Sequence, residues 1–156
     1  MAYSEDEQLS EDIDWFFTDL SGRMFHAASG GGILPATIHQ NDNNRRILRL
    51  VQNFPIVFMA QVNENALNII GYQNQSIAAG DLYFESFMNF AKRGFFSFDN
   101  SVLGNFENRK YHKVAKPKNG FLDYFEFTRL TGIELPVIKT EIDIDDYKSF
   151  DLVSLV

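Results

Sequence analysis

The 156-residue chain has no cysteine, and only four prolines, three histidines and one tryptophan. Without cysteine there can be no disulfide, thiolate nucleophile or thiolate-held zinc, so the fold must hold by packing alone, which is compatible with a reducing compartment. Long apolar runs are missing as well: the longest, PIVFMA at 55–60, is far too short to cross a bilayer. The first 20 residues carry seven acids and no base, the opposite of a secretory signal. A cytoplasmic protein that does not engage a membrane is expected.

Positive charge is scarce, with 14 Lys and Arg against 21 acids and a net charge of −7. Phosphate attraction needs basic residues concentrated on one surface, so nucleic acid is not an expected partner. The charges are segregated. Both ends are acidic, the C-terminal one through Glu134, Glu141, Asp143, Asp145, Asp146 and Asp151, whereas RKYHKVAKPK at 109–118 is basic. Pairing between this basic stretch and the acidic ends is the simplest expectation.

Aromatic residues are plentiful. The 16 phenylalanines, within a hydrophobic content of 45%, supply the material of one core. No repeat, low-complexity tract or Pro/Ser-rich linker divides the chain. One domain over 1–156 is expected, with 1–11 as a flexible acidic N-terminus.

The pattern IDWFFT, followed by the turn residues DLSG and then RMFHAAS, reads as an N-terminal β-hairpin. A helix is expected after Asp42 or Asn43, with Ile47, Leu48, Leu50, Val51 and Phe54 at helical spacing and Pro55 closing it. PIVFMAQV suits a strand, and residues 56–71 as a whole fit strand or helix. GDLYFESFMNFAKRG reads as a second helix with a buried stripe of Leu82, Phe84, Phe87, Met88 and Ala91. FFSFD and KYHKVAKP read as strands, and the alternation of Glu141, Ile142, Asp143, Ile144 and Asp145 as a strand with one wet face, starting at a sheet edge beside Pro136. The expected fold class is α+β, a mainly antiparallel sheet beginning with the hairpin and covered by two or more helices.

Candidate chemistry is thin. Gly30, Gly31 and Gly32 lack the lysine of a phosphate loop, and Pro35 removes an amide donor, so they read as a flexible exit from the hairpin. His26, His39 and His112 have no metal-ligand spacing, and neither a G-x-S-x-G elbow nor a Ser-x-x-Lys pair occurs. His26, between Phe25 and Ala27, reads as a satisfied residue bonded across the sheet, while His112 could equally face solvent. The acids around 143–146 lack the glycine and glutamate of an EF-hand loop. No catalytic residue, metal or cofactor is expected.

The stretch DIDWFFTDLSGRMFHAASGGGILP, with FMNFAKRGFFSFD and YHKVAKP further on, resembles a group of small bacterial proteins with a D-W-F-x-x-D-x-x-G-x-x-x-H-x-x-S-x-G-type opening. Members of this kind resemble immunity proteins, which block a toxin of interbacterial competition. Residues 118–156 fall outside the likeness. The resemblance implies a non-enzymatic inhibitor of a cognate toxin; the acidic charge adds the expectation that this toxin has a basic cleft, and a monomer or weak homodimer is expected. Asp143, Asp145, Asp146 and Tyr147, with Glu11 and Asp12, are the expected contacts, because acidic residues can take the place of phosphates in such a cleft. The alternatives are a small enzyme using His26 as general base near Gly30–Gly32, or an interaction module without a toxin partner.

Overall fold

The computed structural model describes residues 2–71, 76–145 and 148–156. In chain order the elements are α1 (Glu5–Ser10), β1 (Asp14–Asp19), β2 (Met24–Ala28), α2 (Ala36–His39), α3 (Asn43–Val51), β3 (Ala60–Val62), α4 (Ala66–Ile69), α5 (Ile77–Lys92), β4 (Phe95–Asn100), β5 (Lys110–Pro117), α6 (Tyr124–Thr131), β6 (Val137–Ile138) and β7 (Phe150–Asp151). The seven strands form one sheet in the order β3-β5-β4-β2-β1-β6, with β7 also on β5. The class is α+β.

The sheet is mixed, which corrects the expectation of a mainly antiparallel one. β1 and β2 pair antiparallel, from Asp14 opposite Ala28 to Thr18 opposite Met24. β2 and β4, however, run parallel, with His26 opposite Ser97, and β6 lies parallel to β1. A parallel neighbour needs a crossover, and here it comprises everything between β2 and β4, ending in α5. α5 starts at Ile77, earlier than GDLYFESF suggested, because the Ser76 side chain accepts the Ala79 N–H and caps it. Leu82 lies two residues before Phe84, on the far side of the helix, and is exposed.

Two faces of the sheet are covered, and the neighbours Phe16 and Phe17 point to opposite ones. On one face Trp15, Phe17, Phe25, Phe96, Phe98 and Tyr111 pack with Tyr3, Leu34, Ile38 and the C-terminal Ile142, Leu152 and Val153. On the other, Phe16, Met24 and Phe95 meet Ile47 and Val51 of α3 and Tyr124 and Phe127 of α6. Beside them Ala28, Val114 and Ala115 meet Phe84, Phe87 and Ala91 of α5. The acidic segment 1–11 contains α1, whose Ser4–Glu7 capping box closes its first turn.

The strand expected across 141–145 is absent. The chain leaves the sheet after Ile138, and the Asp143 carboxylate accepts the Asp145 N–H at 2.9 Å, turning the backbone. Ile142 still points inward and is buried. The tail is tied down by the basic stretch: Lys116 pairs with Asp145 at 2.7 Å, Arg109 with Asp151 at 3.7 Å, and the Lys113 ammonium donates to the Ile144 carbonyl.

Phe25 lies at the centre of the first face, stacked on Phe17 at 4.8 Å between ring centres. Replacement by alanine is expected to lower unfolding free energy by about 3–5 kcal/mol, read as a shifted denaturant midpoint. A loss below about 1 kcal/mol would contradict tight packing there.

Candidate functional site

On the α5 side of the sheet, strand register lines up polar groups that lie far apart in the chain. Asp14, Ala28, Asp99 and His112 form one row across β1, β2, β4 and β5, and Phe16, His26 and Ser97 belong to the next. His26 is held from both sides, its Nδ1 lying 2.6 Å from the Ser97 hydroxyl and its Nε2 2.7 Å from Asp14 Oδ1. In the neutral ring the acceptor carboxylate fixes the proton on Nε2, and Nδ1 then accepts from the serine hydroxyl. Phe90 of α5 stacks on the imidazole with ring centres 3.7 Å apart.

These are the residue types of a nucleophilic triad, but the arrangement differs. In a working triad the serine faces Nε2 and the carboxylate Nδ1; here the two are exchanged. Ser97 is fully buried and the His26 residue is 1% exposed, so no acyl group can reach either atom. Asp14 alone reaches solvent, with its side chain 39% exposed.

A second chain runs beside the first. Ser101 lies 3.0 Å from His112 Nδ1, His112 Nε2 lies 3.1 Å from the Tyr83 hydroxyl, and that hydroxyl donates to Asp99 Oδ2 at 2.8 Å. A neutral His112 with its proton on Nε2 satisfies every member. Sequence left open whether His112 faces solvent; it is fully buried. Burial holds its pKa down at about 4. Asp99 is pushed up to about 7, first by burial and then by the neighbouring Asp12 and Asp14 charges, against the lowering hydrogen bond from Tyr83.

Gly30 and Gly32 serve close approach. Gly30 has φ +54°, and a Cβ there would lie 2.6 Å from the Leu103 side chain; at Gly32 it would lie 2.5 Å from Asn100 Nδ2. The loop is packed against the end of β4, its Gly30 amide donating to Asp12 at 2.8 Å.

Among the described residues the expected contacts are engaged separately. Asp12 is spent on the Gly30 amide, Asp145 on Lys116 and Asp143 on its own turn. Glu11 ends α1 with its side chain exposed. Asp146 and Tyr147 lie outside the described residues.

Two surface features lay outside the sequence reading. A groove of about 260 Å³ between α3 and α5 has Asp14, Phe90 and Arg93 in its walls. A more apolar groove of about 370 Å³ lies between the β1–β2 turn, α6 and β6, bordered by Leu20, Tyr124, Phe125 and Val137. Leu20 and Phe125 are 69% and 68% exposed.

Comparison with family models, curated proteins and solved structures yields no match. Among the described residues no group of three His, Asp or Glu side chains is placed to hold a metal ion, and no helix is long and apolar enough to cross a membrane.

The two shifted groups pull stability in opposite directions. Between pH 4 and 6.5 folded His112 binds fewer protons than the unfolded chain, so its contribution rises with pH. Between pH 3.8 and 7 folded Asp99 binds more, so its contribution falls with pH. Each slope approaches about 1.4 kcal/mol per pH unit, and they oppose one another. Relative to the unaltered protein, D99N should make stability climb more steeply from pH 4.5 to 6.5, and H112Q should make it decline. Unfolding titrations at several pH values check this; unchanged slopes in both variants would refute the assignment.

Proposed function

We propose that the chain is an immunity-type binding protein that neutralises a toxin domain by covering its substrate cleft and performs no catalysis of its own. The observation that carries this reading is the apolar groove beside α6: Leu20 and Phe125 stand exposed around an open hollow, and Val137 at the sheet edge is half-exposed. Large apolar side chains gathered at a concave surface are typical anchors of protein recognition. The sealing of the His26 and Ser97 pair supports the non-catalytic part.

Charge narrows the partner. With a net charge of −7 the protein attracts basic surfaces at long range. Glu134 lies at the groove itself, and Glu11 and Asp143 add exposed carboxylates elsewhere. A toxin domain with a basic substrate cleft fits both properties: its charge speeds encounter, and an apolar rim seats on Leu20 and Phe125.

The test is co-purification with the protein encoded by the adjacent reading frame, followed by binding kinetics. L20S/F125S should weaken binding at least about tenfold, mainly through faster dissociation. Reversing Glu11, Asp143 and Glu134 to lysine should chiefly slow association and flatten its salt dependence. Binding unchanged by both sets would contradict the assigned face, and failure of the two proteins to associate would contradict the role.

A further inference from the structure

The groove between α3 and α5 holds two opposite charges that do not neutralise each other. Asp14 uses Oδ1 to accept the His26 Nε2–H; among the described residues its Oδ2 has no hydrogen-bond partner. Arg93 spends Nε on the Phe54 carbonyl at 3.2 Å and Nη1 on the Asn89 carbonyl at 3.0 Å. Among the described residues its Nη2 has no partner, and no ion pair joins it to Asp14.

Both side chains are oriented by hydrogen bonds to the scaffold. Asp14 is anchored through His26, which is clamped by Ser97 and the stacked Phe90 ring, and Arg93 is tied to two backbone carbonyls. Preorganised charges of opposite sign, held apart in one groove, complement a molecule that carries both charges itself. Leu48, Val51 and Phe90 supply the apolar part of the wall. A volume of about 260 Å³ lies just below the roughly 300–1,000 Å³ usual for ligand sites, and so suits a molecule the size of one amino acid, not a nucleotide.

We infer that this groove binds a free α-amino acid with an apolar side chain, its ammonium on Asp14, its carboxylate on Arg93 and its side chain against Leu48, Val51 and Phe90. The site lies apart from the groove at α6 and does not rest on the toxin-binding reading. Ser86 and Gln52 add hydrogen-bonding groups at its walls.

The experiment is a titration of the unaltered protein with L-alanine, L-leucine and L-phenylalanine, followed by amide chemical shifts and calorimetry. Two half-ligands run in parallel: leucinamide, which keeps the ammonium but lacks the carboxylate, and 4-methylpentanoate, which keeps the carboxylate but lacks the ammonium. At least one amino acid should give saturable shifts at Ser86, Asn89 and Arg93. Against leucine, each half-ligand should bind about tenfold or more weakly, because a charge-assisted hydrogen bond is lost. R93Q should bind leucine no better than leucinamide. D14N should bind it no better than 4-methylpentanoate, but because that change also removes the His26 acceptor, the half-ligands on the unaltered chain carry the comparison. Absence of saturable shifts with all three amino acids at about 10 mM would overturn the inference. Equal binding of leucine and either half-ligand would overturn it too.

Discussion

Strands β2 and β4 have no exposed position along their whole length, and this governs the rest of the structure. Buried between two aromatic layers, every polar side chain they carry must find its partner inside the protein, since an unpaired buried group costs about 1–3 kcal/mol. His26, Ser97, Asp99 and Asn100 all meet the demand, the last donating to the Ser29 carbonyl and accepting from Asn108. The parallel pairing of these strands places His26 and Ser97 in one row and Asp99 in the neighbouring row of the same face, and α5 seals these three with Phe87, Phe90 and Tyr83.

The interior therefore carries the residue types of a nucleophilic triad in a buried, exchanged arrangement. Serine, histidine and carboxylate meet at hydrogen-bonding distance because register and burial bring them together, and the same burial keeps substrate away. Two features lie open at the surface: an apolar hollow at α6 and a charged groove between α3 and α5.

The sequence exposed local features better than long-range ones. β5 spans 110–117, as KYHKVAKP suggested, and the core of α5 was marked by Phe84, Phe87 and Ala91 at helical spacing. α6 has clear end signals, the Asp123 cap and Gly132 in the left-handed conformation, but exposed Phe125 and Leu130 blur its apolar stripe. α1 carries a capping box that an acidic run disguised. The parallel β2–β4 pair was illegible because no local pattern records where a crossover of more than 60 residues will return. For the same reason His26 could be singled out as a polar residue in an apolar strand, whereas Asp14 and Ser97, 12 and 71 residues away, could not be named as its partners. The grooves depended on that same arrangement, since Asp14 and Arg93 meet in one hollow only after α3 and α5 pack on the sheet.

The central claim is that both buried imidazoles have their ring nitrogens satisfied within the protein, with a proton on Nε2 of His26 and of His112 held by Asp14 and Tyr83. Long-range nitrogen–proton NMR of the three imidazoles near neutral pH tests it most directly. Two rings in the Nε2–H form, with ring N–H protons that exchange slowly with water and resist acylation by diethylpyrocarbonate, are the predicted result. Rapid exchange and ready acylation at both His26 and His112 would contradict the account.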